Sequence, residues 1–204
     1  RGVARVADAL GMTVQFYDTR QVSLELGREL GWQARGSIDE LFETSDCVTV
    51  HISARDIHGT SNAALLSAET LMKLGSKRPE NSPRIFLNLS RGFLHTSEDL
   101  KTAARPGQIR RAAVDVFPEE PRGGSSWVNP YADTPEVVTT PHIGASTQEA
   151  QPRIAQRVSQ TFGLFSTVGA LRDCVFAPRM TLKLPDRQGN GVTLAVVHST
   201  ARGT

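Results

Sequence analysis

The run Ile85-Phe86-Leu87-Asn88-Leu89-Ser90-Arg91-Gly92 opens with four apolar residues among its first five and closes on a polar turn marked by glycine. A strand with one wet face alternates apolar and polar side chains. Residues 85–89 do not alternate, so they read as a strand covered on both faces, as in a parallel sheet. The same grammar recurs on either side. Residues 47–51 (Cys47-Val48-Thr49-Val50-His51) are a short apolar run that ends on a polar group, residues 112–116 (Ala112-Ala113-Val114-Asp115-Val116) one that carries an acid near its end, and Val137-Val138 leads into Thr139-Thr140-Pro141-His142. Helical stretches separate them: residues 65–74 stopped by Gly75, and Ser97–Ala104 before Gly107. Upstream, Val3, Val6, Ala7 and Leu10 make a helical stripe closed by Gly11, residues 13–17 are β-prone and end at Asp18, and Ser37-Ile38-Asp39-Glu40 reads as a capping box. Short buried strands alternating with helices predict a doubly wound α/β fold around a parallel sheet, Rossmann-like in class.

Beyond the last strand, Ser146-Thr147-Gln148-Glu149 reads as a second capping box ahead of a long helix. Pro152 falls inside it. An interior proline removes a hydrogen bond and costs about 3 kcal/mol, which predicts a kink or a later helix start. After Leu171 the chain reads as extended and proline-marked (Pro178, Pro185). Gln188-Gly189-Asn190-Gly191 reads as a linker, and residues 192–198 as a strand. The expected divisions are 1–145, 146–190 and 191–204. Between Gly75 and Ile85, residues 76–83 read as a polar surface excursion.

Composition narrows the function classes. The 204 residues carry 23 basic and 21 acidic side chains, intermixed and summing to +2, so no basic block argues for nucleic acid or an anionic membrane. Cys47 and Cys174 form neither a disulfide framework nor a metal site, which favours a reducing, cytoplasmic setting. No apolar run approaches the roughly 20 residues of a membrane span. The chain lacks an initiator methionine and opens in mid-helix, so its beginning is expected to be missing.

Polar groups at strand ends are where open α/β sheets place their chemistry. Asp18 closes a strand where such folds hold the acid that binds the adenosine ribose, which favours NAD over NADP. Arg91, beside Ser90, offers a planar guanidinium that grips a carboxylate bidentately and polarises a neighbouring carbonyl. Val114-Asp115-Val116-Phe117-Pro118-Glu119-Glu120-Pro121 puts acids at another strand end. His142 stands before the Gly144-Ala145 turn, and a histidine partnered by a carboxylate, here Glu120, is the usual proton shuttle. Each alone also fits a bland role: a solvated loop acid, a surface Arg-Gly turn, a structural histidine.

Together, residues 10–12, 88–92, 114–121 and 141–151 resemble the D-2-hydroxyacid dehydrogenase family, and Ser146 to Gln151 with residues 176–184 are most similar to its phosphoglycerate dehydrogenases. The resemblance implies NAD as cofactor, no metal, and a small 2-hydroxy or 2-oxo acid as substrate. It would be 3-phosphoglycerate, oxidised in serine biosynthesis. It implies catalytic roles for Arg91, Glu120 and His142, and cofactor contacts from Asp18, His51, Ser90, Asp115, Gly144 and Ala145. It also implies a homodimer or homotetramer with residues 149–168 as an interface helix, and a regulatory ACT domain beginning at residue 191. His95 stands where the family has an acid, and Ser53 where it has proline. The family's GxGxxG loop would fall just before Arg1, so the first strand and glycine loop are expected to be missing. A catalytically inactive fragment, or an NAD-sensing or protein-binding module on the same scaffold, remains open at this point.

Overall fold

A computed structural model describes residues 2–56, 58–120, 126–171 and 182–183. Its centre is a four-stranded, all-parallel sheet in the order β3 (Cys47–Val50), β4 (Ile85–Asn88), β5 (Arg111–Val114), β6 (Val137–Thr139). These are the four runs that the apolar pattern marked. Alternate residues Val48, Val50, Phe86, Asn88, Ala112, Val114 and Val137 are buried. Against them pack Phe42 of α3 (Ile38–Thr44), Leu71 of α4 (Ala68–Met72), and Leu100, Ala103 and Ala104 of α5 (Ser97–Ala104). The alternate residues Cys47, Thr49, Ile85, Leu87 and Ala113 are half-buried. The expected parallel α/β fold is therefore present.

A second parallel pair, β1 (Gln15–Phe16) with β2 (Gln33–Ala34), forms its own two-stranded sheet. It is tied to α3 by the Gln15 side chain, which donates to the Thr44 carbonyl at 3.0 Å and accepts from the Thr44 hydroxyl at 2.9 Å. Neither β2 nor the helix before it, α2 (Gln21–Glu29), was legible in the pattern. Buried Gly27 explains part of this. A Cβ there would lie 2.2 Å from the Phe16 ring, so the helix meets its strand through a missing side chain, not through an apolar stripe.

Several helix starts differ from the expectation, each for a local reason. The segment read as helical from residue 65 becomes so only at Ala68. The Ala64 and Leu66 N–H groups are already spent on the Phe93 and Leu94 carbonyls, both at 2.8 Å, and Ser67 caps the helix through Thr70. At α3, Ser37 accepts from the Glu40 N–H, but Glu40 returns its bond to Gly36, so the box is not reciprocal. The reciprocal box belongs to α5, where Thr96 and Asp99 satisfy one another's backbone N–H. The helix expected after Ser146 begins at Ala150, and Thr147, not Ser146, accepts the Ala150 N–H at 3.1 Å. That late start puts Pro152 in the first turn, where its missing N–H has no intrahelical partner to lose.

Residues 76–83 are pinned. Arg78 makes paired 2.9 Å bonds to Asp46, and Lys77 reaches Glu43 at 2.7 Å. The Arg78 side chain, more than burial, sets the shift of Asp46, whose carboxyl lies below the ordinary range. The chain divides into two compact units, Arg1–Ile143 and Gly144–Thr204. The second unit holds α6 (Ala150–Val168), closed by left-handed Gly169, and a short antiparallel pair, Ala170–Leu171 with Leu182–Lys183. The proline-marked segment, the linker at 188–191 and the strand at 192–198 lie outside the described residues. Among those described, no helix is long and apolar enough to cross a membrane.

The α5 cap offers a stability test. Thr96→Ala removes the hydroxyl that accepts from Asp99 N–H and should cost about 1 kcal/mol, read as a lower urea midpoint with an unchanged m-value.

Candidate active site at the strand ends

Register places Asn88, Val114 and Thr139 in one row across β4, β5 and β6. Arg91 and His142 each lie three residues beyond that row, in the turns that follow β4 and β6, the two strands flanking β5. The turn after β4 is organised by Asn88, which is fully buried. Its Oδ1 accepts from the Ser90 N–H at 3.1 Å and the Ser90 hydroxyl at 3.2 Å, and its Nδ2 donates to the Arg91 carbonyl at 3.0 Å. The Arg91 guanidinium is exposed, donates to the Ser90 carbonyl at 2.6 Å, and makes no ion pair among the described residues. An unneutralised cation at a strand end is what an anionic ligand needs.

Beyond β6, His142 adopts a left-handed backbone, φ +52°, an uncommon conformation for a residue with a side chain. Asp115 holds it there. The buried Asp115 carboxylate accepts from the Ile143 N–H at 3.0 Å and from the Thr140 hydroxyl, fastening both sides of the histidine. The Glu120 carboxylate meets the other end of the turn, with its oxygens 2.8 and 2.9 Å from His142 Nδ1. Nδ1–H therefore donates to the acid, which leaves Nε2 as the free acceptor for a substrate proton. Glu120 is itself tethered, since it accepts from the Phe117 N–H at 3.3 Å.

The remaining expected residues are placed as follows. Asp18 lies just past β1, where burial pushes its carboxyl up but the Arg20 N–H and guanidinium outweigh it, so the net shift is downward and the group stays ionised. His51 lies just past β3, with Nε2 3.1 Å from the Thr49 hydroxyl and its imidazole held below its ordinary value by partial burial. Ser90 sits in the Asn88 turn. Gly144 and Ala145 are exposed in the second unit, where the Ala145 carbonyl accepts from the Gln151 side chain. An ionised acid thus lies past β1, and polar groups lie just past the ends of β3 to β6. A hollow of about 480 Å³ lined by Arg105, Arg110, Arg111 and Glu136 lies at the opposite, amino-terminal end of the sheet, away from these groups.

The family model for the NAD binding domain of the D-isomer specific 2-hydroxyacid dehydrogenases matches residues 1–144. The chain belongs to this family. It is 32% identical over 185 residues to the D-3-phosphoglycerate dehydrogenase of Haemophilus influenzae, covering 90% of this chain and 41% of that one. To the Synechocystis D-3-phosphoglycerate dehydrogenase it is 38% identical over 158 residues, covering 78% and 26%. The chain thus spans less than half the length of these relatives. Among solved structures, the D-mandelate dehydrogenase of Rhodotorula graminis aligns with a TM-score of 0.62 at 22% identity, over 79% of this chain and 43% of that one. A D-lactate dehydrogenase from Sporolactobacillus gives 0.61 at 23%, over 89% and 52%. At such identities the likeness speaks for the fold.

Two residues that support this candidate site gave no signal in the sequence. Trp127 packs edge-on against Phe117, with ring centroids 4.8 Å apart, and donates its indole N–H to the Glu119 carbonyl at 3.1 Å, bracing the loop that carries Glu120. Gly92 is the other. A Cβ on it would lie 1.9 Å from the Phe117 carbonyl oxygen and 2.6 Å from the Phe117 nitrogen, so the turn bearing Arg91 touches the backbone that leads to Glu120. Gly92→Ala should force the two apart, at a cost of about 1–3 kcal/mol of strain. The check is urea unfolding together with loss of the Trp127 near-ultraviolet dichroism; an unaltered spectrum and midpoint would show that the contact is loose.

Proposed function

We propose that the protein transfers hydride between NAD and a D-2-hydroxy acid, with 3-phosphoglycerate and its 2-oxo product as the pair. The observation that carries the chemistry is the Glu120–His142 pair, whose histidine stands three residues past the strand row that also sends out Arg91. The names of the relatives support the choice of acid.

In oxidation, Arg91 binds the substrate carboxylate and the oxygen on C2, fixing the acid beside His142. His142 Nε2 accepts the hydroxyl proton as the C2 hydrogen departs, and Glu120 stabilises the imidazolium that forms. In reduction the same histidine returns the proton. Bound NAD supplies the hydride acceptor. Asp18 would hold its adenosine ribose, while His51, Ser90, Asp115, Gly144 and Ala145 would border the rest.

The test uses the complete gene product that contains these residues, assayed for NADH formation from 3-phosphoglycerate. His142→Ala should lower kcat by about 10²–10⁴-fold with the fold intact. Arg91→Lys, which keeps the charge and loses the fork, should mainly weaken substrate binding. Full activity in His142→Ala would remove the proposed proton shuttle. A strong preference for D-lactate or glyoxylate would replace the substrate and keep the chemistry.

Asp18→Ala tests the cofactor assignment separately. NAD affinity should fall about tenfold or more while NADP affinity stays level or rises, because a carboxylate binds the ribose hydroxyls and repels a 2′-phosphate. Equal losses for both would show that Asp18 only braces its loop.

A further inference from the structure

We propose that His95 is a positioning residue for substrate binding: acting through Asn88, it sets the turn that presents Arg91. The inference rests on the reading of Arg91 as the group that binds the acid. His95 does not face the cleft. It is 1% exposed, between the edge of the Phe86 ring (centroids 5.7 Å apart, 71° between planes) and two polar contacts, Asn88 Nδ2 at 3.1 Å and the Thr96 carbonyl at 3.0 Å.

The hydrogen-bond directions in this cluster have one consistent solution. The Ser90 N–H can only donate, so the Asn88 atom facing it is Oδ1. The Arg91 carbonyl can only accept, so the atom facing that is Nδ2. Nδ2 also faces His95, so His95 Nε2 accepts and carries no proton. Nδ1 must then hold the proton, which it donates to the Thr96 carbonyl. Asn88 is saturated, with both N–H groups donated and its oxygen accepting twice. An apolar residue at position 95 would leave one Asn88 N–H buried without a partner, a cost that the amide could relieve only by turning away from Arg91 or Ser90.

Charge at His95 would act in the same direction. A protonated imidazole would aim an N–H at the Asn88 amide nitrogen, donor against donor. Burial is the largest influence and lowers the His95 pKa; the Thr96 carbonyl and the Asp99 charge oppose it without winning. From α5, Asp99 faces the ring region, and its carboxylate is occupied by the Thr96 N–H and hydroxyl and the Ala68 N–H. From β4 the neighbour is the apolar Phe86, and the Arg91 guanidinium is turned to the Ser90 carbonyl. Because the folded value lies below the ordinary 6.5, the stabilisation is complete above that pH and is lost as pH falls from 6.5 through the folded value.

The experiment compares His95→Leu, His95→Gln and Arg91→Ala in the complete gene product. His95→Leu fills the space without an acceptor and should raise the KM for the acid about tenfold, with the KM for NAD unchanged. His95→Gln offers Asn88 an acceptor and Thr96 a donor, so it should restore the KM and remove its rise at acid pH. If Arg91→Ala raises the KM for the acid and His95→Leu does not, the inference fails while the Arg91 reading stands; if neither moves it, the Arg91 reading fails first. Should His95→Leu not fold, nitrogen-15 NMR of the unmutated protein decides. An Nδ1–H tautomer at neutral pH together with the His95→Gln profile supports the role, and an Nε2–H tautomer overturns it.

Discussion

The site depends on how three adjacent parallel strands end. Asn88, Val114 and Thr139 share one row, and one residue later the ladder makes its last bonds, Asp115 N–H to the Asn88 carbonyl and Thr140 N–H to the Val114 carbonyl. Past that row the backbone groups lose their partners, and a buried unpaired amide costs about 1–3 kcal/mol. Side chains take over. Asn88 satisfies Ser90 and Arg91, and Asp115 satisfies Ile143. The groups that end the sheet without penalty are therefore the groups that aim Arg91 and His142.

Close packing then makes the three turns one body. The Gly92 turn rests on the Phe117 backbone, Phe117 packs on Trp127, Trp127 holds the Glu119 carbonyl, and Glu120 accepts from Phe117 N–H. A displacement of the Arg91 turn cannot leave Glu120 where it is. The left-handed backbone at His142 belongs to the same construction. A side-chain residue holds that conformation only when its surroundings over-determine it, and bonds to Asp115 at residues 140 and 143, with Glu120 on the ring, supply that constraint.

Much of this was legible in the sequence. A strand buried on both faces must be nearly all apolar, so β3 to β6 declared themselves, and the polar residue that ends each run marked the chemistry. The pairing of His142 with Glu120 was foreseeable because its residues stand at strand ends, where a parallel sheet gathers them. Elsewhere the sequence was silent because the decisive contact had no local pattern. Gly27 and Gly92 matter through atoms they lack, against Phe16 and Phe117, partners 11 and 25 residues away. Segment 76–83 looked like a free excursion because the acids that hold it, Glu43 and Asp46, lie over 30 residues upstream. Leu65 and Leu66 read as helix because their apolar character suits one, yet the Ala64 and Leu66 N–H groups are claimed by the turn after β4.

The Glu120–His142 pair is close but not strong by itself. Its side chains are 39% and 49% exposed, and a contact so open to water contributes about 0–1 kcal/mol even when both groups are charged. The pair therefore does not fix its own geometry; Asp115 holds the histidine turn and the Phe117 N–H tethers Glu120. What the pair contributes is a fixed tautomer, with Nε2 free in advance of any ligand. A substrate seated between Arg91 and His142 would exclude water from both, and the same 2.8 Å contact would then act in a lower dielectric, where it weighs more. Exposure in the free protein and strength when covered would thus be two states of one arrangement, and the difference between them would favour the charge that the proposed proton transfer puts on His142.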